Sequence, residues 1–210
     1  MTTLAWLFLE LTFAFALIDW WAVGTDRAPV RLVAKPATLV ALIGVAITLD
    51  PVDPAIRVAM VIGLVLSLAG DVFLMLEERW FVAGLASFLA AHIAYIVGLQ
   101  MAPRSWAWTA VGVVVVLAAV ALVGRRIVAG VRANKPDMTA PVMAYLVVIS
   151  LMVVSAFGTA APWAIVGASL FYASDATLAW NRFLEPRRYG PLAVMVTYHL
   201  GQIGLVAWLV

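Results

Sequence analysis

The sequence predicts an all-α fold, a polytopic membrane bundle of about eight transmembrane helices, and three observations predict it. Of its 210 residues, 66% are hydrophobic and only 11% are charged, more apolar surface than a soluble domain of this length can hide. The apolar residues fall into blocks of roughly 20, the length that spans a hydrocarbon core of about 30 Å at ~1.5 Å per residue. The cations, 13 Lys and Arg in all, collect in alternate connections between those blocks, as the positive-inside bias requires.

The elements follow in order. Helix 1 takes residues 3–22; its start, Met1-Thr2-Thr3, lacks the basic opening of a signal peptide, so it reads as a span. Gly24-Thr25-Asp26 ends it. Helix 2, 31–49, opens on Arg31 and Lys35-Pro36 and stops at Asp50-Pro51-Val52-Asp53-Pro54. Helix 3 covers 55–76 and helix 4 covers 80–99, ended by Pro103-Arg104. Helix 5 covers 105–123, followed by a cationic loop through Asn134-Lys135-Pro136-Asp137. Helix 6 (139–157), helix 7 (163–181) and helix 8 (189–209) are separated by Ala161-Pro162 and Glu185-Pro186. Together they make one transmembrane domain, residues 1–210.

Eleven of the 13 cations lie after helices 1, 3, 5 and 7 or on their flanks: Arg27, Arg31, Lys35, Arg79, Arg125, Arg126, Arg132, Lys135, Arg182, Arg187 and Arg188. Arg57 and Arg104 lie opposite. Both termini are therefore expected outside the cytoplasm. Most tryptophans, among them Trp20, Trp21, Trp106, Trp163 and Trp208, fall near helix ends as an aromatic belt. Usage rich in Ala, Val and Arg points to a bacterium and its inner (cell) membrane.

Composition also excludes function classes. There is no cysteine, hence no disulfide or thiolate chemistry. The cations are few and terminal, so nucleic acid is not an expected partner. With two histidines, His92 and His199, a zinc site would have to borrow carboxylates; no metal and no cofactor are expected. The oligomeric state is not legible.

Two aspartates sit inside apolar helices: Asp71 after Gly70, and Asp175 after Ser174, each with a leucine three places on. A carboxylate at bilayer depth costs roughly 2.5–3.5 kcal/mol even on lenient insertion scales. Each lies six or seven residues from the cationic end of its helix, ~9–11 Å in depth, so the two can share one layer. They are 104 residues apart, and His92 and Tyr95, then Tyr198 and His199, follow in the next helix. That spacing fits a parallel 4+4 repeat, although shared hydrophobicity alone imitates one. Alternatives stay open residue by residue. The aspartates can lock the bundle by pairing with Lys35 or hydroxyls. Lys35 can reach their layer or snorkel outward. His92 can be a bundle hydrogen-bonder, and Ser67, Ser174 and Thr177 small packing residues. Glu10 and Asp19 lack a partner motif and read as peripheral; Glu77, Glu78, Arg187 and Arg188 read as solvated loop charges. Two buried carboxyls near one another split into an acid and an ionised partner, a pattern suited to hydrolysis of an acid-labile bond.

The chain resembles the lysoplasmalogenase, or YhhN-like, family of multispanning membrane proteins. The matching residues are Lys35-Pro36; Gly70-Asp71 with Leu74; Phe81-x-x-Gly84-x-x-x-Phe88-x-x-x-His92-x-x-Tyr95; Pro141-Val142-x-x-Tyr145; Gly167-x-x-x-Phe171-x-x-Ser174-Asp175-x-x-Leu178-Ala179; Asn181 with Phe183; and Tyr198-x-x-x-Gln202. Helices 1 and 5 contribute nothing. The resemblance implies eight spans and hydrolysis of the vinyl-ether bond of a lysoplasmalogen, a lysophospholipid, to a fatty aldehyde and a glycerophospho-alcohol among membrane lipids. It implies that Asp71 and Asp175 are catalytic, with Lys35, His92, Tyr95, Ser174, Asn181, Tyr198 and Gln202 binding substrate or supporting the site. In that frame Lys35 meets the phosphate, and His92, Tyr198 and Gln202 position water or glycerol oxygens.

Other classes compete. A proton-coupled carrier would use the two aspartates as a relay, but no helix is broken by Gly or Pro at mid-depth. An intramembrane aspartic protease would need a Tyr before Asp175 and Pro-Ala-Leu where the chain has Pro191-Leu192-Ala193.

Overall fold

In the computed structural model, which describes residues 1–210, turn chemistry sets where each helix starts. Thr2 caps α1 (Thr3–Gly24) by accepting from the Ala5 amide at 3.0 Å. The turn residue Arg27 precedes α2 (Ala28–Thr48). Asp53 accepts from the Ala55 amide at 2.7 Å and Pro54 opens α3 (Pro54–Met75), using the fixed φ of a proline where no donor is needed. A short 3₁₀ turn, Glu78–Trp80, leads into α4 (Phe81–Met101). Ser105 caps α5 (Trp106–Asn134), and another turn, Pro136–Met138, leads into α6 (Thr139–Gly158). Pro162 starts α7 (Pro162–Phe183), and Pro191 lies in the first turn of α8 (Gly190–Ala207).

Seven of these helices are long and apolar enough to cross a membrane. The eighth, α7, has the length, and its Ser174, Asp175, Asn181 and Arg182 lower its hydropathy. Side chains such as Leu17, Val33, Val114, Leu122, Val147 and Leu151 are exposed on the bundle's flanks. Lipid, not water, suits that surface, and the chain is an integral membrane protein.

The fifth helix departs from its expected end at residue 123. It passes through a π turn, Val120–Gly124, and continues to Asn134. The arginines there imitate a loop. Ile127 and Val131, one turn apart, instead give the extension an apolar face that packs with Val142 and Phe183, while Arg125, Arg126 and Arg132 face outward.

Consecutive helices pair as the hairpins α1–α2, α3–α4, α5–α6 and α7–α8; α4 also meets α6, and α8 closes the bundle against α1, α2 and α3. Close backbone approach seals the last hairpin. A Cβ on Gly167 would lie 2.6 Å from the Leu205 amide nitrogen, and one on Gly201 2.8 Å from that of Phe171, which is the small-residue packing favoured in lipid. Alternation of the spans gathers the cations of α2, α4, α6 and α8 starts and of α3, α5 and α7 ends on one face. There Glu78 pairs with Arg182 and, at 3.2 Å, with Lys135.

Candidate active site

Asp71 lies four residues from the end of α3, its side chain 1% exposed. Gly70 beside it lets the Phe88 ring of α4 pack closely. The Lys35 ammonium of α2 lies 2.8 Å from Asp71 Oδ1, and the Tyr198 hydroxyl of α8 donates to Oδ2 at 2.7 Å. Lys35 therefore turns into the carboxylate layer and pairs with Asp71; it does not snorkel to the interface.

Asp175 lies on α7, more open, with its side chain 15% exposed. The Tyr145 hydroxyl of α6 donates to its Oδ2 at 2.5 Å. His92 Nε2 of α4 stands 3.8 Å from the same oxygen, with its ring buried between Tyr145 and Phe171 at 5.2 and 4.8 Å. Each aspartate thus holds one tyrosine hydroxyl, and only Asp71 holds a lysine.

Both aspartates line one cavity of about 340 Å³, most of whose wall is apolar. Seven helices contribute, α1 being the exception. The lining residues come from the cationic half of each helix, except Ile149 and Tyr172 at mid-helix, and run from Tyr198 and Ile149 at the base to Arg31, Phe81, Asn181 and Arg182 at the mouth.

Other expected site residues take varied positions. Tyr198 and Asn181 line the cavity, and the Asn181 side-chain oxygen accepts from the Arg187 amide at 3.1 Å. Ser174 lines it too, but its hydroxyl donates to the Val194 carbonyl at 3.0 Å and ties α7 to α8. Tyr95 and Gln202 do not reach the cavity. They lie behind it, the tyrosine donating to Gln202 Oε1 at 2.6 Å, so Gln202 is not placed to hold water or glycerol oxygens there.

Four residues gain a place that their sequence positions did not suggest. Tyr145 stood in a motif without a role; its pairing with Asp175 depends on α6 meeting α7, which no local pattern states. Arg31 and Arg182 read as topology markers and line the cavity. Asp19, read as peripheral, is fully buried on α1 with both oxygens unpartnered. Beside it Trp20 donates to His199 Nδ1 at 3.0 Å.

Fold and site define the class: an integral membrane protein of paired helices that carries two carboxylates at the base of a one-ended apolar cavity. The chain belongs to the YhhN family, whose model matches residues 30–209 and so leaves out α1. Lysoplasmalogenase TMEM86B of Homo sapiens is 32% identical over 142 residues, which is 67% of this chain and 58% of that protein. Lysoplasmalogenases of Mycobacterium bovis and Mycobacterium tuberculosis are 34% identical over 180 residues, 83% of this chain and 68% of theirs. The matched part of the chain thus spans little more than half of the human relative. No solved structure matches the chain.

Proposed function

We propose that the protein is an intramembrane hydrolase that cleaves the vinyl-ether bond of a lysoplasmalogen, giving a fatty aldehyde and a glycerophospho-alcohol. The observation that carries this reading is two carboxyl groups in unequal settings facing one amphiphile-sized cavity. The identity to lysoplasmalogenases supports the substrate class.

The unequal settings suggest roles. Asp71, paired with Lys35, is the ionised partner. Asp175, without a lysine or arginine partner, is the acid, with Tyr145 donating to Oδ2 and Oδ1 left to carry the proton. Asp175 protonates the β-carbon of the vinyl ether, and the π-electrons become the new C–H bond. The resulting oxocarbenium ion is stabilised by the Asp71 carboxylate across the cavity. Water adds to the cationic carbon, and its released proton returns to the carboxylate of Asp175. The hemiacetal then collapses: its hydroxyl proton passes through Asp175 to the ether oxygen, the C–O bond breaks, and aldehyde and alcohol leave. His92 beside Asp175 positions its carboxyl, and Tyr95, Gln202 and Ser174 hold the helices that present the site.

In a bacterial inner membrane, the cationic end of the bundle is cytoplasmic under the positive-inside rule, both termini are non-cytoplasmic, and substrate enters from the cytoplasmic leaflet.

The deciding assay gives purified protein a lysoplasmalogen, its alkyl-ether analogue and its acyl analogue, and measures free aldehyde and free fatty acid. Aldehyde from the first alone is the expected outcome, since a saturated ether has no π-electrons to protonate. Fatty acid from the acyl lipid with no aldehyde from the vinyl ether overturns the reading.

A further inference from the structure

The cavity mouth carries two arginines that form no ion pair with Asp71 or Asp175. Arg31 lies on α2 one turn outward from Lys35, and Arg182 lies on α7 two turns outward from Asp175; both line the cavity. Arg31 is half-buried and its side chain makes no hydrogen bond or ion pair, although it is within electrostatic range of the buried Asp19 and Asp71. Arg182 sits over the Phe81 ring, 3.6 Å from its centroid, and pairs through Nη2 with Glu78. Each arginine keeps a buried Nε–H without an acceptor. A buried donor of that kind calls for a partner, and a guanidinium fork matches a phosphate. Lys35 is not the cation for this task, because its ammonium is spent on Asp71.

Spacing supports the same ligand. Four and seven residues of helix rise put the two arginine positions ~6 and ~10 Å outward from the carboxylate layer. In a glycerol ether lipid, seven bonds of about 1.5 Å each, folded at tetrahedral angles, separate the vinyl β-carbon from phosphorus, a reach on the order of 8 Å.

We propose that Arg31 and Arg182 form a phosphate clamp at the cavity mouth, holding the phosphodiester of a lysophospholipid while its ether reaches Asp71 and Asp175. The clamp rests on the lysolipid reading above and names what that reading leaves open: the substrate is selected by its phosphate. The Phe81 ring packs against the Arg182 guanidinium, and Glu78 is a counter-ion that the phosphate displaces.

The test uses purified full-length protein in an uncharged maltoside detergent without added lipid, so that bulk anionic lipid cannot occupy the site. Wild type, Arg31→Gln, Arg182→Gln and the double variant are given an alkenyl lysophospholipid and the matching 1-alkenylglycerol, which lacks phosphate. On the phospholipid each single change should raise KM about tenfold, as loss of a charged hydrogen bond does, with kcat within twofold. On the alkenylglycerol neither constant should move. Glu78→Gln should lower KM for the phospholipid or leave it unchanged. Equal losses on both substrates, unchanged KM on the phospholipid, or a raised KM in Glu78→Gln would overturn the clamp. If wild type cleaves neither substrate, the hydrolase reading fails, and binding decides the clamp separately: an alkyl-ether lysophospholipid should quench tryptophan fluorescence more tightly than its alkylglycerol, and that preference should vanish in the double variant. A wild type without the preference overturns the clamp.

Discussion

Deleting the Lys35 ammonium probes the site at its most buried contact. At 2.8 Å the pair with Asp71 has a Coulomb attraction of about 6 kcal/mol at an effective dielectric of ~20. Most of that offsets the desolvation of two groups that are 4% and 1% exposed. What counts is the asymmetry: breaking a buried pair by removing one member costs about 3–5 kcal/mol, while removing both costs much less than the two losses added together. Lys35→Met leaves a carboxylate that can take up a proton, which places it near ~3 kcal/mol. Asp71→Asn leaves a buried ammonium and should cost about the same. The double variant should lose only ~3–4 kcal/mol, a coupling of about 2–3 kcal/mol between neighbours. Thermal unfolding in maltoside detergent, followed by tryptophan fluorescence, reads this out. At about 2–4 °C per kcal/mol for a chain of this size, each single variant should lose roughly 6–12 °C. Additive losses, with coupling below ~0.5 kcal/mol, would refute the buried pair.

Three further outcomes are expected. Asp175→Asn should cut hydrolysis by about 10²–10⁴-fold without removing the protein from the membrane, and Tyr145→Phe should cost less because the acid itself stays; detergent-purified, monodisperse variants assayed for aldehyde check both. The pH–rate profile should be a bell: rising pH strips the proton from Asp175 and sets the alkaline limb, while falling pH neutralises Asp71 and sets the acid limb. In Asp71→Asn the acid limb should disappear from the residual rate, and a profile of unchanged shape would count against the assignment. Reporter fusions near Ala129 and at Val210 should give cytoplasmic and non-cytoplasmic signals respectively; a cytoplasmic Val210 would reverse the face from which substrate enters.

What the sequence disclosed and what it withheld differ by the range of the interaction. Asp71 and Asp175 stand out because a carboxyl among leucines is anomalous within a window of ten residues. Their depth follows from counting turns to the cationic end. Tyr145 does not stand out, because a tyrosine is at home in any membrane helix; only the meeting of α6 with α7 gives its hydroxyl a carboxylate. Asp19 misled in the opposite sense. It lies in an apolar helix without a motif, and its burial comes from α1 packing on α2 and α8, contacts that no periodicity encodes. The α5 extension was hidden by its own arginines. Charge density suggested a loop, whereas two apolar residues one turn apart were enough to carry the helix on against Phe183.

The shape of the cavity bears on the choice between catalyst and carrier. A carrier must expose the same carboxylates alternately to both faces of the membrane. Here no lining residue lies deeper than mid-helix from the cationic end. Beyond the carboxylates the path meets Phe171, fully buried, and the Tyr95–Gln202 hydrogen bond, which joins α4 to α8. Farther along the same axis, Gly167 and Gly201 bring the α7 and α8 backbones into direct contact. Opening a second exit would break that hydrogen bond and part the α7–α8 hairpin where its two backbones touch. A blind-ended site with an unpaired acid at its base is suited to a lipid that enters and leaves by one route, with its polar end remaining among the arginines. That geometry favours chemistry on a bound amphiphile over passage through the membrane.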